Sequence, residues 1–268
     1  MIRCAVMGNP IEHSLSPVIH HLFAKQTGHA LVYDKILIEE ASFEQQVKDF
    51  FAEGGRGLNI TLPCKQRAFA MSDGVSERCV LAKAANTLWM TSERLHADNT
   101  DGVGLLRDLS RNLTLSALRI LVLGAGGAAR GILGPLFEAN PADITVFNRS
   151  SERARALQLD FPGIGLASSQ DLEHASYDLV INATSASFQA EILMLPNALL
   201  ANQPMCYDLS YSRSGLTPFV AWAKALKSPA MDGLGMLVEQ AAIAFWIWHG
   251  VMPDTAPVLE AVRRGLNA

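Results

Sequence analysis

The run Ile120-Leu121-Val122-Leu123-Gly124-Ala125-Gly126-Gly127-Ala128-Ala129-Arg130 limits what this chain can fold into more than any other segment. Four successive apolar residues suit a strand covered on both faces. Directly behind them stands Gly124-x-Gly126-x-x-Ala129, and behind that a helical stretch from Gly131 to Glu138. A glycine run alone marks only a tight turn. Between a strand and a helix it marks a dinucleotide site, because a pyrophosphate must touch the backbone and face the N–H groups that open the helix.

The rest of the chain fits around that junction. Strand patterns at Met1–Met7, Leu31–Ile38 and Gly57–Thr61 alternate with helical ones. Ser16-Pro17 opens a helix reaching Thr27-Gly28, with Ser16 expected as N-cap and Pro17 at the first helical position. Ser42 with Gln45 reads as a capping box ahead of Phe43, Val47 and Phe50, and Gly54-Gly55 end that helix. Pro63 is placed to start the next one. From Arg119 the alternation restarts, with strands at Ile120–Leu123, Asp143–Phe147, Asp178–Asn182 and Met205–Leu209. The pattern predicts an α/β protein of two α/β lobes, the first with a mostly parallel sheet. Gly235–His249 is apolar nearly all round, and Pro257–Leu266 is amphipathic. Both helices are expected to pack back on the first lobe.

Bulk properties exclude several classes. With 49% hydrophobic and 18% charged residues the chain is a cored globular protein, and a net charge of −4 offers no field to attract nucleic acid or an anionic membrane. No apolar stretch approaches the roughly 20 residues needed to span a bilayer. The start has no signal-peptide architecture. Cys4, Cys64, Cys79 and Cys206 are widely spaced, without CxxC or paired histidines, which reads as reduced thiols in a cytoplasmic protein and no metal site. His13, His20 and His21 have no metal-ligand spacing either.

Three polar clusters in the first lobe call for a chemical explanation. Ser14 and Ser16, just before a helix, can bond a carboxylate at its N-terminus. Asn59 and Thr61 share one side of a strand, and Lys65, one turn into the following helix, can lean back toward the strand end where α/β sheets bind ligands. Asn86-Thr87 and Asn99-Thr100-Asp101-Gly102 add amides, hydroxyls and a carboxylate. Together they suit a polyhydroxylated ring, and a Lys–Asp pair is a proton relay for interconverting alcohol and ketone. In the second lobe, Asn148-Arg149-Ser150 follows the second strand where an NAD site carries Asp or Glu. With Arg153 one turn on, it suits a 2′-phosphate and hence NADP.

These motifs, in order along nearly the whole chain, resemble the shikimate dehydrogenase family. They are Gly8-Asn9-Pro10-Ile11-Glu12-His13-Ser14-Leu15-Ser16-Pro17, Asn59-Ile60-Thr61-Leu62-Pro63-x-Lys65 and Asn99-Thr100-Asp101-Gly102-Val103-Gly104. With them come Gly124 to Arg130, Asn148-Arg149-Ser150, Asn182-Ala183-Thr184-Ser185 and Asp232-Gly233-Leu234-Gly235-Met236-Leu237-Val238-Glu239-Gln240. The resemblance implies a substrate-binding domain of residues 1–101 plus 238–268 and a Rossmann-like NADP-binding domain of residues 102–237. It implies an NADP-dependent oxidoreductase of aromatic amino acid biosynthesis that reduces 3-dehydroshikimate to shikimate. Lys65 would be the acid–base residue and Asp101 its partner. Ser14 and Ser16, helped by Tyr211, would hold the substrate carboxylate, and Asn59, Thr61, Asn86, Asp101 and Gln240 the ring hydroxyls. Gly124, Ala125, Gly126, Gly127, Ala128, Asn148, Arg149, Ser150 and Arg153 would hold NADP, with Thr184, Leu209 and Gly233 at its nicotinamide end and Glu77 as a further contact. The neighbouring quinate/shikimate branch accepts quinate and often NAD; Arg149 and Arg153 without a strand-end carboxylate argue against it. The partners implied are small molecules, and a homodimer is left open. The chain departs from the family pattern at Lys83, where glycine is usual, and at Ser150, where threonine is usual. It also lacks the expected glycine after Ser185 and is about one residue longer between Tyr211 and Pro218.

Overall fold

The computed structural model describes residues 1–184, 195–213 and 215–266. The chain divides into two compact units, Met1–Gly104 with Leu237–Ala268, and Leu105–Met236.

The first unit contains β1 (Ile2–Gly8), α1 (Ser16–Thr27), β2 (Leu31–Leu37), α2 (Phe43–Ala52), β3 (Gly57–Ile60), α3 (Lys65–Ala70), β4 (Gly74–Val75), α4 (Glu77–Ala82), β5 (Thr87–Thr91) and β6 (Arg94–Asp98). Its six-stranded sheet runs β2-β1-β3-β5-β6-β4. The pairs β1–β2, β1–β3 and β4–β6 are parallel, while β5 is antiparallel to both β3 and β6. β5 and β6 form a hairpin whose two loop residues, Ser92 and Glu93, both have positive φ (50° and 62°). Sequence reading missed it, because the twist-matched two-residue turn is usually advertised by Asn-Gly, and neither residue stands there.

The second unit holds most of α5 (Asp101–Leu109), then β7 (Arg119–Leu123), α6 (Gly127–Glu138), β8 (Asp143–Phe147), α7 (Ser151–Asp160), β9 (Gly165–Leu166), α8 (Asp171–His174), β10 (Leu179–Asn182), β11 (Met205–Asp208), α9 (Pro218–Ala225) and β12 (Ala230–Met231). All five strand pairings in its sheet are parallel, in the order β12-β11-β10-β7-β8-β9. This is the doubly wound Rossmann order, with the reversal between β7 and β10. Ile120, Val122, Ile132, Leu136, Ile144 and Ile181 form part of the core between sheet and helices.

The last helices are α10 (Leu234–His249) and α11 (Thr255–Leu266). From Leu237 onward they belong to the first unit. The Trp248 indole N–H donates to the Leu88 carbonyl (3.1 Å), and its ring fills the place where a side chain at Gly57 would stand.

Local starts differ from expectation in three places. Leu15, not Ser16, is the N-cap of α1, and the Ser14 hydroxyl accepts from the Ser16 N–H (3.3 Å). That gives Ser14 the structural role the sequence did not reveal. At α2 the capping box is not formed: the Ser42 hydroxyl turns back to Glu39 and Gln45 bonds Asp49. α3 starts at Lys65 rather than at Pro63, so Lys65 is the first helical residue and not one turn in.

Candidate active site

In the first unit, polar side chains gather where β1, β3 and β6 end and β5 begins. Because β5 runs antiparallel, its start lies at the same edge as the ends of its neighbours. Register pairs Thr87 with both Asn59 and Asp98, and the Asn86 N–H bonds the Asp98 carbonyl (3.0 Å). The hairpin therefore brings Asn86 beside the segment Asn99-Thr100-Asp101.

The Lys65 ammonium donates to Asp101 Oδ2 at 2.6 Å, with side chains only 15% and 7% exposed. The second carboxylate oxygen, Oδ1, accepts from the Asn86 amide at 2.8 Å. Asn86 Oδ1 in turn accepts the Thr100 backbone N–H (2.9 Å), and that donor fixes which way the amide points. Gln240 enters from α10, its Oε1 within 3.2 Å of the Asn86 nitrogen and its own nitrogen on the Leu237 carbonyl. Both ends of the Asn59 amide are engaged, Oδ1 by the Tyr33 hydroxyl (2.6 Å) and the nitrogen by Asn86 O (3.0 Å) and Thr87 Oγ1 (3.1 Å). Burial holds the Tyr33 phenol far above its usual titration range, so it stays a donor. Thr61 follows β3, and its methyl fills the space beside Gly8 where a side chain would collide. One constellation thus contains a hydrogen-bonded cation–carboxylate pair together with amides and hydroxyls, which can move a proton at one atom of a polyol ring.

In the second unit, β7 runs into Gly124, whose φ of 108° no ordinary L-residue adopts readily. A side chain there would also lie 3.0 Å from Ala183 O and 3.2 Å from the Thr184 methyl. Gly126 caps α6 and Gly127 begins it, and a Cβ at either would meet only open space. The entry to α6 thus has open space beside Gly126 and Gly127 at a helix N-terminus, which fits a pyrophosphate. At the end of β8, Asn148 bonds the Ser150 carbonyl (2.9 Å) and Ser150 caps α7 through the Arg153 N–H (3.4 Å). Arg149 and Arg153 are exposed. The donor set, two guanidiniums and a capped loop, fits a 2′-phosphate.

A third cluster supports the ends of β10 and β11. The fully buried Asp208 carboxylate accepts from Asn182 (3.1 Å), the Ser210 N–H (3.0 Å) and Thr217 (2.6 Å). Asn182 Oδ1 then receives the Thr184 hydroxyl (2.7 Å). Gly233 lies so close to Leu209 that a Cβ would come within 2.2 Å of its carbonyl oxygen.

Known proteins carry the same organisation. Family models described as shikimate dehydrogenase substrate binding domain, shikimate/quinate 5-dehydrogenase and shikimate 5′-dehydrogenase C-terminal domain match residues 6–88, 108–209 and 233–263. A shikimate dehydrogenase (NADP(+)) of Legionella pneumophila (strain Lens) is 54% identical over 261 residues, covering 97% of this chain and 98% of that one. The chain belongs to the shikimate dehydrogenase family. Among solved structures, an Ael1 enzyme from Pseudomonas putida matches with a TM-score of 0.89 at 44% identity, over 97% of this chain and 98% of that chain. The Thermus thermophilus shikimate 5-dehydrogenase in complex with NADP(H) and shikimate matches at 0.88 and 34% identity, over 98% and 99% of the two chains.

Against that family background, Ser14, Ser16, Asn59, Thr61, Lys65, Asn86, Asp101 and Gln240 all lie in the first unit, and hydrogen bonds connect most of them directly. Tyr211 is in the second unit, on the half-buried loop after β11. Gly124, Ala125, Gly126, Gly127 and Ala128 form the turn and first residues of α6, and Thr184 adjoins that turn. Glu77 is an exposed residue in the first turn of α4, in the first unit rather than with the other cofactor candidates. The missing glycine after Ser185 falls outside the described residues. The departure at Lys83 has a visible consequence, because that residue ends α4 with φ 49°, a left-handed conformation suited to glycine. Sequence reading overlooked Tyr33 and Asp208, and named Thr87 and Thr100 without giving either a task of its own. A tyrosine in a strand was the available signal, since a buried phenol needs a partner. Of the three histidines noted in the sequence, His13 and His21 are exposed, while His20 is fully buried, stacked 4.2 Å from the Tyr33 ring, and lowered by burial to about 3. Among the described residues no group of His, Cys, Asp and Glu could hold a metal ion, and no helix is long and apolar enough to cross a membrane. The four cysteines are free and buried, with Cys4, Cys79 and Cys206 pushed up to about 12 by burial.

Proposed function

We infer that this protein is an NADP-dependent shikimate dehydrogenase, an oxidoreductase that interconverts shikimate and 3-dehydroshikimate in the pathway to the aromatic amino acids. The observation that carries the reading is the buried Lys65–Asp101 pair, held from its far side by Asn86 and set among side chains suited to a hydroxylated ring. A protein that only bound such a metabolite would gain nothing from a paired proton donor.

The first unit is the substrate domain and the second the cofactor domain. Bound NADPH supplies a hydride to the ketone carbon. Lys65 gives its proton to the carbonyl oxygen as that charge develops, and in reverse it takes the proton from the hydroxyl. Asp101 keeps the ammonium aimed and balances its charge when the lysine is protonated. Ser14 and Ser16 receive the substrate carboxylate, and Thr61, Asn86 and Gln240 the ring hydroxyls. Gly124 to Ala128 admit the pyrophosphate to the N-terminus of α6. Asn148, Arg149, Ser150 and Arg153 hold the 2′-phosphate, which an NAD site would instead replace with a carboxylate for the ribose hydroxyl. Thr184, Leu209 and Gly233 line the nicotinamide end, with the Asp208–Asn182 cluster keeping them in place. Buried, unpaired thiols accord with a cytoplasmic location.

Absorbance of reduced nicotinamide, followed with shikimate or quinate and with NADP or NAD, tests the reading. Reduction of NADP with shikimate far faster than any other combination is the expected result. Comparable rates with quinate or NAD move the protein to the broader branch, and no reduction in any combination refutes the enzyme assignment.

A further inference from the structure

Behind the Lys65–Asp101 pair stands a line of buried hydrogen bonds, each of which allows only one direction. The Asn86 carbonyl can only accept, so the Asn59 nitrogen must face it (3.0 Å) and Asn59 Oδ1 must face Tyr33. The same nitrogen donates to Thr87 Oγ1 (3.1 Å), which leaves the single Thr87 hydroxyl proton free to point at Asn86 Oδ1 (3.0 Å). The Thr87 hydroxyl thus joins the Thr100 N–H (2.9 Å) in holding Asn86 Oδ1, which keeps the Asn86 nitrogen against Asp101 Oδ1 (2.8 Å), and Asp101 Oδ2 holds Lys65 (2.6 Å). Tyr33, Asn59, Asn86, Thr87 and Asp101 are all buried, so water does not compete for these bonds.

We propose that Tyr33, Asn59 and Thr87 are positioning residues of the reaction, which act on Lys65 through Asn86 and Asp101 without needing to touch the substrate. The inference deepens the dehydrogenase reading and rests on it. It gives Asn59 a different task from the ring-hydroxyl contact that family resemblance implies, because both N–H donors of its amide are spent on Asn86 and Thr87 and its oxygen holds Tyr33. Without the Thr87 hydroxyl, Asn86 Oδ1 keeps only its contacts with Thr100, and the amide that orients Asp101 from behind is held less firmly.

Three substitutions test this: Tyr33→Phe and Thr87→Val, which remove one hydroxyl each at nearly constant shape, and Thr87→Ser, which restores it. Kinetics with shikimate and NADP are read together with hydrogen exchange of the Lys65 ammonium, measured by ¹⁵N NMR without substrate. Tyr33→Phe and Thr87→Val should each lower kcat about five- to thirtyfold, the effect of losing one or two hydrogen bonds' worth of orientation. KM for shikimate should stay within about twofold, Lys65 exchange should quicken, and Thr87→Ser should recover most of the loss. Folded variants with unchanged kcat and unchanged exchange overturn the proposal, as does a loss that falls on KM alone. Should Thr87→Val fail to fold, Tyr33→Phe, the smaller change, decides in the same way. Lys65 exchange needs no turnover, so an inactive wild-type enzyme whose variants still show faster exchange would sink the functional reading and leave the positioning inference standing.

Discussion

Replacing Asp101 with asparagine keeps the shape of the side chain while removing its charge and one of its two acceptors. In the native pair, one oxygen accepts from Lys65 at 2.6 Å and the other from Asn86 at 2.8 Å, on a residue 5% exposed. The Asn86 amide cannot turn to compensate, since the Thr100 N–H fixes its oxygen. An asparagine at 101 must therefore present its NH₂ to either the Lys65 ammonium or the Asn86 NH₂. One buried donor is left without an acceptor, a cost of about 1–3 kcal/mol in stability. It is read as a lower urea midpoint at unchanged slope. Catalysis should suffer more than folding. Lys65 loses its counter-charge and its aim together, so kcat should fall by about 10²–10³-fold, within the range for disabling a general acid–base. Substrate KM should change much less, because Thr61, Gln240 and the serine pair are untouched. The assay is nicotinamide absorbance with shikimate and NADP. A folded Asp101→Asn enzyme that keeps kcat within about threefold of the wild type would refute the reasoning, whatever its stability.

Arg149→Ala should raise the KM for NADP about 10- to 100-fold, the value of a charge-assisted contact, and leave NAD kinetics nearly unchanged; equal losses for both cofactors would remove the 2′-phosphate assignment. Lys83→Gly should stabilise the protein by about 0.5–1 kcal/mol, because φ 49° strains lysine and not glycine, with the gain read as a higher melting temperature at unchanged kcat. Acid should destabilise the fold through His20: burial lowers it from 6.5 to about 3, so between those values the unfolded chain holds a proton that the folded one does not. Stability should fall by up to about 1.4 kcal/mol per pH unit as pH drops through that window, and His20→Phe should flatten this part of a urea-midpoint profile. Asn-Gly in place of Ser92-Glu93 should stabilise the β5–β6 hairpin by about 1 kcal/mol while leaving kcat alone, as seen in parallel thermal melts and rate assays.

Much of this architecture is written in local pattern. The buried run Ile120–Leu123 ahead of Gly124 gave away both the fold of the second unit and the place of its glycine turn, because the strand, the turn and the helix follow one another along the chain. Asp143–Phe147 could be read to the residue for the same reason. Cap details were harder. Ser16 and Ser42 have the right chemistry to cap, yet backbone geometry gave the first place to Leu15 and turned the second toward Glu39. Composition states which residues can cap, and tertiary packing decides which ones do.

The hairpin was the feature that pattern concealed, and the first unit's chemistry depends on it. In a wholly parallel sheet every strand would deliver its C-terminal end to the ligand edge, and Asn86, which precedes β5, would lie at the opposite edge from Thr61. One antiparallel strand reverses that. The start of β5 then sits beside the end of β3, and the end of β6, parallel to β3 again, returns the chain to the same edge just before Asp101. Asn86 and Asp101 can share a hydrogen bond because β5 and β6 are joined by the shortest of hairpin loops, so that Thr87 and Asp98 fall opposite each other in register. A slip of one residue would turn the Thr87 side chain to the other face of the sheet and break its bonds to Asn59 and Asn86. The Ser92-Glu93 turn, far along the strands from the Lys65–Asp101 pair, therefore sets the register on which the Asn86–Asp101–Lys65 contact depends.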